Sequence, residues 1–142
     1  MPVKAQASGI IERPVAEVFK FHLVDHVKNH PRWDPNIQLE DLTDGPMGVG
    51  KKIKRINSRS GQPVEGTMEI TEFEPNESAT MIIHDGPVKM IARATYVAEG
   101  ISRTRLTMHI EFPDIDEMDT DMLVSAMKQS IQNINQLITS ET

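Results

Sequence analysis

The sequence has no cysteine, few aromatic residues and no long apolar run. Without cysteine, disulfides, thiol nucleophiles and cysteine-ligated metals are excluded. The aromatic residues are four Phe, one Trp and one Tyr. No apolar stretch approaches the roughly 18 residues that a membrane span requires, and the first residues lack the apolar segment of a signal peptide. We therefore expect a cytoplasmic protein with no membrane insertion.

The charge and length are those of an acidic chain of one domain, which we predict over residues 1–142. There are 15 Lys and Arg residues against 21 Asp and Glu residues, so the formal net charge is −6. That balance argues against binding to nucleic acids or to anionic membranes. The nine methionines are the unusual feature. Because methionine is flexible and polarizable, it either adapts to a partner or fills gaps in a core.

Hydrophobic periodicity predicts the order of the elements. Lys4–Glu12 is typical of a strand, and a helix follows from Pro14 with an apolar face that breaks at His30-Pro31. Turn residues then separate several alternating segments. These predicted strands lie near Ile37–Leu42 and at Lys51–Ser58, Val64–Phe73, Ser78–His84, Val88–Ala98 and Thr104–Phe112.

The last segment, Asp119–Thr139, has the pattern of a long amphipathic helix. Its apolar stripe runs from Leu123 to Ile138, and Met122 widens it. Strands grouped between terminal helices indicate an α+β fold. Because the antiparallel meander must bury its apolar face, we expect a curved sheet that wraps the C-terminal helix.

Three segments carry a family resemblance. Ile10–Phe19, with the sequence IIERPVAEVF, precedes Trp33–Ile37 and the glycine-rich segment Gly45–Gly50. Together they resemble the START-like (SRPBCC) superfamily, and within it the polyketide cyclase/dehydrase-like proteins. The resemblance implies a helix-grip fold with a deep cavity for lipids, polyketides or sterol-like molecules. Many members of this superfamily bind such ligands without catalysing a reaction.

The leading hypothesis is that a small hydrophobic ligand, lipid-like or polyketide-like, binds between the sheet and the C-terminal helix. No cofactor and no metal are expected. We select the lining residues from the alternation of side chains along the strands, from the apolar stripe of the C-terminal helix and, for Trp33, from the resemblance. These predicted ligand-binding residues are Trp33, Met68, Ile70, Met90, Ala92, Tyr96, Leu106, Met108, Leu123, Met127 and Ile131. The small residues Gly66, Ala92 and Ala94 on the inward faces are expected to leave room for the ligand.

Two other functions stay open. One is an enzyme, a polyketide cyclase or dehydratase, in which positioning of a reactive chain supplies much of the catalysis. Convergence of two or more of Tyr96, His84, His109 and Arg93 in the cavity would favour that function. The other is a protein-interaction domain or homodimer, whose cavity is filled by side chains.

Histidines and basic residues provide weaker signals. His22, His26 and His30 are spaced by four residues, which suits a divalent metal on a helix, but three on one straight helix cannot reach one ion. They lie off the apolar stripe, so we expect solvated side chains. The basic cluster Lys51, Lys52, Lys54, Arg55 and Arg59 lacks interleaved aromatics and is likewise expected to be solvated.

Overall fold

A computed structural model describes residues 2–141, and it shows a seven-stranded antiparallel sheet curved around a long C-terminal helix. The strands are β1 (Val3–Ile11), β2 (Ile37–Asp41), β3 (Lys52–Asn57), β4 (Val64–Glu74), β5 (Ser78–Asp85), β6 (Val88–Ala98) and β7 (Thr104–Phe112). The helices are α1 (Val15–Phe19), a π-helical turn (Lys20–Val24), α2 (His26–Trp33) and α3 (Thr120–Ser140). The α+β helix-grip prediction is confirmed.

The sheet is a meander with one added edge strand. Its order is β1-β7-β6-β5-β4-β3-β2, so consecutive strands pair from β2 to β7, and β1 pairs with β7. Successive side chains along each strand point to opposite faces of the sheet. The strand register therefore places the inward-facing side chains of neighbouring strands side by side, in rows across the sheet. Met108, for example, lies between Ala7 on β1 and Ala94 on β6. These inward rows form the concave face that meets α3.

The sheet packs closely on α3 where β1 carries a glycine. A Cβ atom at Gly9 would lie 2.8 Å from Cγ2 of Ile131, so glycine permits this contact. Met127 and Ile131 are buried on the predicted stripe, but Met122 is 73% exposed and does not extend it. The helix begins after Asp119, whose side chain accepts a hydrogen bond of 3.1 Å from the Met122 amide.

The first helical segment differs from the prediction. The amide of Asp25 donates to the carbonyl of Lys20 at 2.9 Å, which is the i→i−5 pattern of a π turn. The helix also passes through Pro31 and ends at Trp33, so the predicted break at His30-Pro31 was wrong. A proline lacks an amide hydrogen, and the helix tolerates it here within its last turn.

Position 66 requires a glycine because the backbone of the neighbouring strand β5 approaches it closely. The missing side chain does not leave room for a ligand. A Cβ atom at this position would lie 1.6 Å from the carbonyl oxygen of His84 on β5. Backbone atoms of a central strand cannot move aside as the end of a side chain can. The expectation that Gly66 opens the cavity was therefore wrong.

This close approach predicts a large effect of Gly66→Ala. We expect the free energy of unfolding to fall by at least about 3 kcal/mol, because strands β4 and β5 must separate to admit the methyl group. Gly48→Ala is the matched control, since no heavy atom lies within 4 Å of its Cβ position; its effect should stay within about 0.5 kcal/mol. Urea denaturation measures both, and equal midpoints would contradict the assignment.

Candidate functional site

A cavity of about 200 Å³ lies between the concave face of the sheet, α2 and α3. Its apolar wall is rich in methionine, with five of the chain's nine at the surface of the cavity. These are Met68, Met81, Met90, Met108 and Met127. Sequence reasoning missed Met81, because the run Met81-Ile82-Ile83 hid the alternation that places Met81 and Ile83 inward.

The structure brings seven of the eleven predicted residues to this cavity. They are Trp33, Met68, Met90, Ala92, Met108, Leu123 and Met127. The other four, Ile70, Tyr96, Leu106 and Ile131, are buried in the core away from the cavity wall. Ligand contact by any of these residues stays a prediction.

The histidines of the first helical segment, which the sequence analysis placed in solvent, form with Arg55 the polar part of the cavity lining, here called its polar end. His22 is 6% exposed, His26 is 4% exposed, and both border the cavity with His30. The expectation of solvated histidines was wrong. His22 follows the buried Val18 by four residues and His26 follows His22 by four, and this spacing keeps all three side chains on the buried face of the helical segment.

Tyr96 anchors this polar end from β6. Its hydroxyl oxygen lies 2.5 Å from Nδ1 of His22. Burial raises the pKa of Tyr96 well above its usual value, and burial, followed by the nearby His26, lowers the pKa of His22 to about 3. Both groups are therefore neutral, and one hydrogen is shared between the phenol oxygen and Nδ1 of the imidazole.

His26 is also held neutral and in one orientation. Its Nδ1 lies 2.8 Å from the carbonyl oxygen of His22, which can only accept. Burial is the main cause that lowers the pKa of His26 to about 4; the hydrogen bond to His22 opposes this shift, and the charge of Arg55 adds to it. Burial likewise lowers the pKa of His30. All three imidazoles are therefore neutral near pH 7.

A buried ion pair completes the polar end. Arg55 Nε donates to Asp85 Oδ1 at 2.8 Å, and its Nη2 donates to Oδ2 at 3.2 Å. Asn57 Nδ2 donates to the same carboxylate at 2.9 Å. Gly66 lies between Arg55 and Asp85 in the strand register, so no side chain separates the two charges.

The basic cluster is therefore only partly solvated. Arg55 is buried in this pair, and Lys51 is buried with Nζ donating to the carbonyls of Thr43 and Gly45 at 2.7 and 2.9 Å. The expectation that the whole cluster faces solvent was wrong for these two residues. Lys52 and Arg59 are exposed, as expected.

The four groups proposed to converge in an enzyme do not form one constellation. Tyr96 is buried against His22, whereas His84 is exposed. Arg93 and His109 are neighbours across β6 and β7, at positions whose side chains alternate with the inward-facing ones. Both residues border a groove on the outer face of the sheet, and both also border the cavity. The cavity lining also contains the histidines of the first helical segment, which the sequence analysis did not place there.

The sheet curved around α3 has the helix-grip fold that START-like proteins share. The structure is similar to a START superfamily protein from Mycobacterium smegmatis, with 11% identity over 98% of this chain and 99% of that chain and a TM-score of 0.76. It is similar to the major latex-like protein 151 of Panax ginseng, with 14% identity, 96% and 97% coverage and a TM-score of 0.77. At these identities the likeness shows the fold.

An enzyme shares the same fold. The Zhui aromatase/cyclase from Streptomyces sp. R1128 is 13% identical over 99% of this chain and 93% of that chain, with a TM-score of 0.73. No protein-family model and no curated protein matches the sequence. Within residues 2–141, no helix is both long enough and apolar enough to cross a membrane.

The neutral histidines predict a loss of stability in acid. Unfolded histidines bind protons near pH 6.5, whereas His26 and His22 in the folded chain resist protonation down to about pH 4 and 3. Between these values the unfolded state binds more protons, so each buried histidine lowers the free energy of unfolding by up to about 1.4 kcal/mol per pH unit as the pH falls.

Urea denaturation at a series of pH values measures this slope. His26→Gln should flatten the slope between pH 6.5 and 4, whatever its effect on stability at neutral pH. His84→Gln removes an exposed imidazole and is the matched control, which should keep the slope of the unmodified protein. An unchanged slope in the His26 variant would refute the assignment.

The Arg55–Asp85 pair predicts a second stability effect. Asp85→Ala should lower the free energy of unfolding by about 3–5 kcal/mol, because it leaves the buried guanidinium without its carboxylate. Glu99→Ala, which breaks the exposed pair with Arg105, should cost less than about 1 kcal/mol. Thermal and urea unfolding measure both variants, and a similar loss in the two would show that Asp85 is accessible to water.

Proposed function

We propose that the protein binds a compact, apolar, ring-containing molecule in the cavity between the sheet and α3. The observation that carries this proposal is the contrast between two parts of the cavity lining. One part is a methionine wall, and the other holds neutral imidazoles and two arginines that are already paired with carboxylates. Ligand sites typically combine mostly apolar walls with a few placed polar groups that set orientation.

The size of the cavity limits the ligand. Its volume of about 200 Å³ is below the roughly 300–1,000 Å³ of pockets for drug-sized ligands. A molecule of one or two rings suits this space better than a long acyl chain. Polyketide-like aromatic compounds are therefore favoured over lipids, and the shared fold of an aromatase/cyclase is in keeping with that class.

The methionine wall supports binding of a flat ligand. Each methionine side chain is unbranched and can change rotamer to follow the outline of a ligand, and its sulfur makes favourable contacts with aromatic rings. Ala92 and Ala94 lie between Met90 and Met108 on the inner face and contribute little volume of their own. The wall can therefore adjust around a ring without moving the strands.

Ala92→Trp tests the location of the site. The indole would project into the cavity and occupy most of it, so uptake of the two-ring apolar fluorescent probe prodan should be lost. Val97→Trp is the matched control on the same strand, because Val97 is 59% exposed on the outer face. That variant should bind the probe as the unmodified protein does.

Fluorescence of the bound probe measures uptake, and circular dichroism checks that both variants fold. Equal uptake by the Ala92 and Val97 variants would show that the ligand does not occupy this cavity. Failure of the unmodified protein to bind the probe would instead favour the protein-interaction function.

A further inference from the structure

Two buried ring nitrogens at the polar end have no hydrogen-bond partner. Within residues 2–141, neither Nε2 of His26 nor Nδ1 of His30 finds a donor or acceptor. Both side chains border the cavity, and their ring centroids lie 4.6 Å apart. Buried polar groups are nearly always hydrogen-bonded, because an unpaired one loses its hydration without replacement. The pair therefore points to a polar group of the ligand.

The orientation of His26 fixes what that group must do. Nδ1 donates to the carbonyl of His22, so in the neutral ring Nε2 carries a lone pair and can only accept. Nδ1 of His30 is not committed and can take either role. A hydroxyl suits both nitrogens at once, because it has one donor hydrogen and two acceptor lone pairs.

The charged groups nearby disfavour an anionic ligand. Arg55 already donates two hydrogen bonds to Asp85, and Arg59 is paired with Asp34. A carboxylate would face the lone pair of His26, and protonation of that ring is opposed by burial and by Arg55. Among the described residues, no group of three or more His, Asp or Glu side chains is arranged to hold a metal ion.

The surrounding rings favour a hydroxyl on a flat group. The indole of Trp33 stacks on His30 with centroids 5.0 Å apart, and it also contacts His22 at 5.3 Å and His26 at 5.7 Å. Aromatic surfaces of this kind pack well against another ring.

We propose that His26 and His30 form a site for the hydroxyl of a phenol or enol, with His26 Nε2 accepting the hydroxyl hydrogen. This inference rests on the proposed function, because it concerns the head group of the cavity's ligand. It adds the chemical class of that ligand, a neutral aromatic or enolic hydroxyl compound. It also gives the histidines of the π turn and α2 a role in ligand selection.

Three naphthalenes that differ in one substituent test the site: naphthalene, 2-naphthol and 2-naphthoate. Chemical-shift titration of the indole N–H of Trp33, the only tryptophan, follows each of them near neutral pH. We expect 2-naphthol to bind at least about fivefold more tightly than naphthalene, which corresponds to one net hydrogen bond. The carboxylate should bind more weakly than either.

His26→Phe and His30→Phe keep a ring in place and remove the nitrogens. His26→Phe should abolish the preference for 2-naphthol over naphthalene, and His30→Phe should reduce it. His84→Phe, at an exposed position, should leave the preference intact. The comparison of the three ligands in the unmodified protein holds even where a variant fails to fold.

The outcomes separate this inference from the proposed function. Equal binding of naphthalene and 2-naphthol would overturn the hydroxyl site and leave the cavity as the binding site. Tighter binding of 2-naphthoate would overturn the neutral head group in favour of an anion. If none of the three binds, both the proposed function and this inference are wrong.

Discussion

The hydrogen bond from the Asp25 amide to the Lys20 carbonyl closes the π turn that joins α1 to α2. His22 lies in that turn and His26 is the first residue of α2, and both border the cavity with His30 and Trp33. The carbonyls of the altered turn are satisfied by side chains, since Asn29 donates to Phe21 and His26 donates to His22. The turn and the orientation of the histidines are therefore one hydrogen-bonded unit. Such π turns are rare and occur often at functional sites.

The same unit depends on the sheet. Tyr96 reaches His22 from β6, and Arg55 meets Asp85 across Gly66 of β4, which has no side chain to separate them. An ion pair in this position stabilises the fold only while both charges are present. It also sets a positive guanidinium close to imidazoles that burial already keeps neutral. The polar end of the cavity thus acts on a ligand through hydrogen bonds, with its charges already compensated.

The sequence predicted the elements well where apolar residues alternated regularly, and it failed where polar side chains continue a buried face. β6 and β7 match their predicted bounds because alternating residues follow one another without interruption. The inward histidines were missed although His22 and His26 follow Val18 at the four-residue spacing of one helix face, because they were assigned to solvent as polar residues. Burial of Arg55 was missed because its partner Asp85 is 30 residues away and two strands distant. The buried run Met81-Ile82-Ile83 carries no alternation by which its faces could be separated.

In the proposed binding site, the methionines would respond to the shape of a ligand and the histidines would set its orientation. A wall of five methionines can follow many outlines, so it selects apolar surface but discriminates poorly among apolar molecules. Discrimination among ligands would then depend on the few polar groups whose positions are fixed. His26 is such a group, because its proton position is set by a backbone carbonyl and its ring is held by packing against Trp33. An adaptable wall opposite a rigid acceptor admits ligands of varied outline but requires each to present a hydrogen-bond donor at the same point.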